Sequence, residues 1–176
     1  TARDPEGLSA MRHTCSHVLA EAVKRMRPQA KLTIGPSIEN GFYYDFDTEP
    51  FTREDLDNLE KEMKKIIKEG QKLEKFTLTR EAAIRLMQER DEPYKVELIQ
   101  ELPENEEISF YRQGGDFTDL CAGPHLMSTK PIKAFKLISS SMAYWRGDSS
   151  KAQLQRIYGT AFASKEELNA YLEHLE

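Results

Sequence analysis

The chain has 176 residues, of which 39% are hydrophobic and 31% are charged, and its net charge is −5. This length suits a single domain with one sizeable core, and no stretch approaches the roughly 20 apolar residues that cross a bilayer. The negative charge argues against a dedicated surface for duplex nucleic acid, which normally carries a basic excess, but it allows contact with a few nucleotides at the end of an RNA.

The opening TARDPEGLSA has neither an initiator Met nor the apolar core of a signal peptide, so we expect an excised piece of a longer protein. Two cysteines, Cys15 and Cys121, are too few for a disulfide framework. We therefore expect a cytoplasmic protein from a reducing compartment, with no membrane partner.

The first predicted element is a helix that begins at Ser9, a favourable N-cap, and runs to about Arg27, before Pro28. A helical wheel puts six apolar residues on one face: Met11, Cys15, Val18, Leu19, Ala22 and Met26. His13 and His17, one turn apart, point nearly the opposite way. They are expected to face either solvent or a cleft.

A hairpin is predicted next, because Asn40-Gly41 lies between two β-rich runs in LTIGPSIENGFYYDFD. Thr52 is the expected N-cap of a second helix, which Gly70 ends. The following LEKFTLT alternates between apolar and polar residues, as a strand does.

In the second half, Thr79 caps a third helix that is interrupted near Pro93 and resumes through Val96 to Leu102. ISFYRQGGDFTDL predicts a hairpin around its Gly-Gly pair (114–115), and IKAFKLISSSMAYWRGD and AQLQRIYGTAFA supply the remaining strands. Ser164, with Glu three residues on, forms a capping box for the last helix. Helices and hairpins in this irregular order predict an α+β single domain, in which antiparallel hairpins and sheet pack with several helices around a cleft.

Chemistry-bearing residues recur in FTDLCAGPHL (117–126), where Asp119, Cys121 and His125 follow a strand into a Gly-Pro turn. Helical residues four apart have Cβ atoms about 5–6 Å apart, so His13 and His17 could act on one small object. Exposed histidines are often merely solvated, and a single Cys is often a small buried hydrophobe. The paired spacings nevertheless favour a site.

Two kinds of site fit these residues. His13, His17, Cys121 and His125 are the four N/S ligands of a tetrahedral zinc site, which would be structural if all four bound and catalytic if one stood off. Alternatively, imidazoles of near-neutral pKa shuttle protons without a metal, while a cation and polar groups hold a water. The fourth histidine, His174, stands alone on the last helix and is expected at the surface.

Five segments together resemble the editing region of bacterial threonyl-tRNA synthetases, from about Leu8 to Glu176. They are HTCSHVLAEAV, IGPSIENGFYYDF, EPYKVEL, FTDLCAGPHL and RIYGTAFASKEELNAYLE. The order H-x3-H, then GFYYDF, then D-x-C-x-G-P-H is what makes the resemblance specific. It implies hydrolysis of the ester in seryl-tRNA(Thr), which releases serine and tRNA(Thr).

The resemblance also implies roles for single residues. It makes His13 and Lys95 catalytic, and it makes His17, Tyr44, Asp119, Cys121 and His125 substrate-binding. His13 would lie near the terminal ribose and pass a proton to the departing hydroxyl, while Lys95 would position water and stabilise charge on the carbonyl oxygen. Asp119 and the Cys121–His125 pair would meet the serine, with Tyr44 shaping the wall. Without the resemblance, a surface lysine is the favoured reading of Lys95 and a packed aromatic residue that of Tyr44, and Asp119 could be a turn cap.

For metal, the related alanyl-tRNA synthetase editing domains use a similar His/His/Cys/His set as ligands, whereas the threonyl branch works without one. The resemblance therefore implies no metal and no cofactor, with zinc on His13, His17, Cys121 and His125 as the alternative.

By the same resemblance, residues 1–8 are a linker from a preceding domain, residues 9–163 are the editing domain, and residues 164–176 begin a helix toward a catalytic domain. The expected partners are the CCA end of tRNA(Thr) carrying serine and the remaining domains of the same synthetase, and no aminoacylation is expected from this chain. Two alternatives stay open: a zinc-stabilised RNA-binding or interaction module without catalysis, and a free-standing trans-editing deacylase.

Overall fold

The computed structural model describes residues 4–114, 116–121 and 123–175. The helices in these residues are α1 (Pro5–Met26), α2 (Arg53–Lys68), α3 (Arg80–Glu89), α4 (Pro93–Glu101) and α5 (Lys165–Leu175). The strands are β1 (Lys31–Leu32), β2 (Ser37–Ile38), β3 (Gly41–Asp47), β4 (Leu73–Leu78), β5 (Ile108–Gln113), β6 (Phe117–Leu120), β7 (Ala134–Tyr144) and β8 (Gln153–Phe162). All the strand pairs are antiparallel, and the predicted α+β class is confirmed.

Helix α1 begins a turn earlier than predicted. Asp4, not Ser9, is its N-cap: the Asp4 carboxylate accepts the Gly7 N–H at 2.7 Å, and Pro5 occupies the first helical position. The prediction of Ser9 as the cap is therefore wrong, and the Ser9 hydroxyl instead lies 3.0 Å from that of Ser37. Residues 5–8, assigned above to a linker, form the first turn of the helix.

The predicted apolar face of α1 is buried except at its end. Met11, Cys15, Val18, Leu19 and Ala22 are fully buried, but Met26 is 37% exposed because it is the last residue of the helix. The opposite face is covered as well, so that α1 is buried along most of its length. The cysteines at positions 15 and 121 are both free.

Both predicted hairpins and the predicted cap at Thr52 are present. Ile38 pairs with Gly41 across the first turn, where Asn40 has a φ of 64°. Thr52 forms a full capping box with Asp55 at the start of α2. Strands β5 and β6 pair as the second predicted hairpin, although Gly115 in its turn lies outside the described residues.

Of the two remaining helix starts, that of α4 differs from the prediction and that of α5 agrees with it. Helix α4 begins at Pro93 and not at Val96, because the ring of proline suits the first helical position. Helix α5 begins as expected, with the Ser164 hydroxyl accepting the Glu167 N–H at 3.2 Å, and His174 near its end is exposed.

The strands form two sheets, each with its own hydrophobic core. One sheet has the order β1-β3-β8-β7, with β2 paired to β3, and α1 and α2 pack against it. The other has the order β4-β5-β6 and packs against α3 and α4. None of the helices in the described residues combines the length and the apolar character of a membrane span.

Candidate active site

A cleft of about 560 Å³ opens between α1, α4 and the end of β6. Five of the seven predicted site residues line it: His13, His17, Lys95, Asp119 and Cys121. Tyr44 and His125 lie behind these residues and contact them. The fold thus brings together segments that are more than a hundred residues apart in the chain.

The side chains of the site come from two helices, a strand and the loop that follows it. His13 and His17 come from α1, Lys95 from the first turn of α4, and Asp119 from β6. The loop after β6 turns back at Gly123, which has a φ of +86° and no room for a Cβ, since such an atom would lie 2.5 Å from the Tyr111 hydroxyl oxygen. This turn brings Cys121 and the following histidine back against α1.

Asp119 is the buried centre of a polar network. Its Oδ1 lies 2.6 Å from Lys95 Nζ, and its Oδ2 accepts the Tyr44 hydroxyl at 2.7 Å and lies 3.6 Å from His17 Nε2. Burial, followed by the nearby Asp119 carboxylate, raises the pKa of Tyr44 well above its ordinary value, so the phenol stays a donor. The network links the two sheets, and it fixes the Lys95 ammonium at the cleft.

The hydrogen bonds of the rings at positions 13 and 125 fix their tautomers. His13 Nδ1 lies 3.2 Å from the Pro124 carbonyl oxygen, which only accepts, so Nδ1 carries the hydrogen. His125 Nδ1 lies 3.1 Å from the Thr14 hydroxyl, whose own hydrogen goes to the Ala10 carbonyl, so this Nδ1 also donates. Both rings, when neutral, therefore present a bare Nε2.

Both bare nitrogens face one sulfur atom. Cys121 Sγ lies 3.2 Å from His13 Nε2 and 3.3 Å from His125 Nε2, and it accepts the Gly123 N–H at 3.2 Å. The two rings stack with their centroids 4.1 Å apart. A thiol has one hydrogen, so it can satisfy only one of the two nitrogens at a time.

Burial is the main cause of the shifted pKa values in this cluster. It lowers the pKa of His13, His17 and His125. His13 and Lys95 lower the pKa of His17 further, and the other two imidazoles lower that of His125 further. The three imidazoles are therefore neutral at pH 7. Burial also raises the pKa of Cys121 to about 11, so without a metal its sulfur is a thiol and a poor nucleophile.

The same four side chains fit a metal ion. One donor atom from each of His13, His17, Cys121 and His125 lies within 4.8 Å of the others. The Sγ–Nε2 separations of 3.2 and 3.3 Å are close to the roughly 3.5 Å between sulfur and nitrogen ligands of tetrahedral zinc. The Nδ1–H groups bonded to a carbonyl and a hydroxyl are what zinc-binding histidines usually have. Zinc held by all four would stabilise the fold, and zinc held by three would activate a water.

Several residues around the cleft were missed in the sequence. Thr14 orients His125, yet it reads only as a spacer between the two helical histidines. The rest of the lining is an apolar wall with two acids, from segments whose convergence only the fold reveals: Ile34, Gly35, Pro36, Leu98, Leu102, Glu106, Glu107, Ser109 and Leu120.

Comparison with known proteins identifies the family. The family model described as the threonyl and alanyl tRNA synthetase second additional domain matches residues 108–158, which include Asp119, Cys121 and His125. The chain is 64% identical, over 98% of its length, to the threonine–tRNA ligase of Acetivibrio thermocellus. It is 62% identical, over 100% of its length, to that of Clostridium novyi.

Residues 108–158 of the chain match this second additional domain family. The resemblance stated from the sequence motifs is thereby confirmed. The domain spans 27% of the Acetivibrio ligase and 28% of the Clostridium novyi ligase, or about a quarter of the curated relatives it matches. The family match begins at Ile108, after His13, His17 and Lys95 in the chain.

Proposed function

We propose that the domain hydrolyses the ester bond of seryl-tRNA(Thr) and releases serine and tRNA(Thr). The observation that carries the proposal is the pairing, in one cleft, of a fixed ammonium, Lys95, with a neutral imidazole, His13. The cleft volume of about 560 Å³ is typical of sites for small ligands, and an amino acid esterified to a ribose is of this size.

Selection against serine needs such a second site. Serine is threonine without a methyl group, and a pocket that accepts threonine rejects the smaller molecule by only about 1–3 kcal/mol, or roughly 10–200-fold. A hydrolytic pocket reverses the selection, since it admits serine while the additional methyl of threonine clashes. The wall formed by the buried His17 and Asp119 and the half-buried Cys121 is closely contacted and suits a steric test of this kind.

In the proposed reaction, His13 lies near the terminal ribose. Its Nε2, which carries no hydrogen, first accepts a proton from water and then passes a proton to the departing ribose hydroxyl. Lys95 positions the attacking water and stabilises negative charge on the carbonyl oxygen. Asp119 holds Lys95 in place and contributes negative charge toward the serine ammonium. Cys121, as a thiol beside His125, binds the serine hydroxyl and does not attack the ester.

The proposed partners are the CCA end of tRNA(Thr) carrying serine and the other domains of the same ligase. Residues 9–163 form the proposed editing unit, residues 1–8 lead into it as a linker and first helical turn, and residues 164–176 lead toward a catalytic domain. Aminoacylation is assigned to parts of the ligase outside this chain.

The test compares release of labelled serine and threonine from seryl-tRNA(Thr) and threonyl-tRNA(Thr). We expect faster loss of serine, and we expect His13→Ala to reduce this rate by at least 100-fold, the usual lower contribution of a general acid or base. His174→Ala, at an exposed histidine on α5, is the matched control and should leave the rate unchanged. Equal rates on the two esters, or equal losses in the two variants, would contradict the proposal.

A second candidate is a zinc-stabilised RNA-binding or interaction module without catalysis, and the four converging donor atoms favour it. Stoichiometric zinc in protein purified without chelator, together with unfolding on addition of chelator, would support it. A metal-free preparation that folds and releases serine would exclude it.

A further inference from the structure

Five lysines surround a second groove, of about 460 Å³, away from the candidate active site. We call it the lysine groove; its lysines are Lys64 and Lys68 on α2, Lys130 and Lys133 before β7, and Lys165 at the start of α5. All five are exposed. The floor between them is apolar and is made by Ile67, Ile132, Ala134, Phe135 and Leu168.

The charge of this groove is not balanced by neighbouring acids. None of its lining residues is acidic, and among the described residues none of the five lysines forms an ion pair. Lysines next to the groove in sequence do form ion pairs, since Lys65 lies 3.8 Å from Glu62 and Lys136 lies 3.2 Å from Glu60. A concentration of unpaired positive charge in a chain of net charge −5 is typical of a site for an anion.

The arrangement within the groove has an energetic cost in the free protein. Lys64 and Lys68 are four residues apart on α2, where like charges destabilise a helix by a few tenths of a kcal/mol. The cost disappears when an anion lies between the two side chains.

The type of cation indicates the type of anion. All five are lysines, which bind phosphates as point charges, whereas carboxylates of acidic peptides are commonly bound by the planar fork of arginine, absent from this lining. The lysines are spread over three segments along a groove of about 460 Å³. An extended chain of phosphates therefore matches them better than a single small anion.

The groove lies within reach of the acceptor end of an RNA. Lys130 follows His125 by five residues, so their Cα atoms are at most about 18 Å apart. This distance corresponds to the rise of about five stacked nucleotides.

We propose that the lysine groove binds backbone phosphates of the RNA strand that leads to the ester in the candidate active site. This inference rests on the proposed function and adds a second contact to it. The apolar floor supports the lysine stems, and their ammonium groups reach the phosphates. The binding carries no sequence specificity, since it involves no base edges.

The test measures binding of an unacylated tRNA(Thr) transcript by fluorescence anisotropy between 50 and 200 mM salt. Each phosphate contact contributes about 0.7–0.9 to the slope of log affinity against log salt. The triple variant Lys64→Gln, Lys68→Gln, Lys133→Gln should lower the slope by about 2–3. Over this fourfold salt range the unaltered chain should therefore lose about 16- to 64-fold more affinity than the variant.

The control is a triple variant of equal charge change outside the groove, Lys61→Gln, Lys72→Gln, Lys151→Gln, which should keep most of the slope. Equal losses in both variants would show a general charge effect and overturn the proposal. Unchanged binding in the groove variant would also overturn it. So would competition by an acidic peptide, such as polyglutamate, that binds the groove in preference to the RNA.

Failure of the groove can be told apart from failure of the proposed function. A short ester, 3′-O-seryl-adenosine, contains no backbone phosphate and depends only on the cleft. If the unaltered chain hydrolyses this ester but the groove variant binds tRNA normally, the groove proposal alone is wrong. If the ester is not hydrolysed while the groove variant has a reduced salt slope, the groove binds RNA and the proposed hydrolysis is wrong.

Discussion

The buried pair of Asp119 and Lys95 permits a sharp prediction for Asp119→Asn. The substitution removes the negative charge 2.6 Å from Lys95 Nζ while keeping nearly the same shape. The amide oxygen of the asparagine can still accept the Tyr44 hydroxyl. The Lys95 ammonium, on a side chain that is only 3% exposed, then faces an uncharged amide in place of a carboxylate.

The expected loss in the free energy of unfolding is about 3–5 kcal/mol. Breaking a buried ion pair by removing one partner typically costs this much. Since a domain's total stability is about 5–15 kcal/mol, Asp119→Asn should remove a large part of it.

The assay is urea denaturation followed by circular dichroism, with each free energy extrapolated linearly to water. The double variant Asp119→Asn, Lys95→Met removes the unpaired ammonium and should recover most of the loss. The control is Glu74→Gln, which breaks an exposed ion pair to Arg112 at 3.2 Å and should cost under about 1 kcal/mol. A double variant no more stable than Asp119→Asn alone would refute the reasoning.

Three further outcomes are expected from urea denaturation of the domain. Burial holds the pKa of His17 below its value in the unfolded chain, about 6.5, so below this pH the unfolded state binds a proton that the folded state excludes. The free energy of unfolding should therefore fall by about 2 kcal/mol from this residue between pH 7 and 5. His17→Asn should remove this part of the pH dependence. Thr52→Ala removes the capping box of α2 and should cost about 1 kcal/mol, with no change if the cap is unimportant. Gly159→Ala puts a Cβ 2.4 Å from the buried Phe42 ring and should cost about 1–3 kcal/mol, whereas a neutral result would mean that the ring moves freely.

Local rules were sufficient for most elements of the fold. Caps at Thr52 and Thr79, the turn at Asn40 and the hairpin pattern of β5–β6 depend on neighbouring residues, so the sequence carries them directly. The start of α1 was predicted at Ser9, whereas the structure has Asp4 as the cap, because Pro5 occupies the first helical position.

The site was predictable in its residues and not in its arrangement. The spacing of His13 and Cys121 from other histidines indicated a metal or catalytic site. The contact between these two residues, 108 apart in the chain, depends on how the two sheets pack. The same limit applies to Tyr44, which reads as a hairpin aromatic until its hydroxyl is seen on Asp119. The lysine groove likewise required the fold, since its side chains come from three distant segments.

The Thr14 hydroxyl has a consequence for how the domain can vary. It donates to the Ala10 carbonyl and accepts from the Leu126 N–H and from His125 Nδ1. Because its two backbone partners fix the direction of the hydroxyl, they and not solvent decide that His125 carries its hydrogen on Nδ1. A serine there could make the same three bonds, whereas a valine of equal volume would free the ring to swap tautomers. The Thr14 hydroxyl thus acts on the Cys121 sulfur from the far side of the His125 ring, because it decides which ring nitrogen faces the sulfur without a hydrogen.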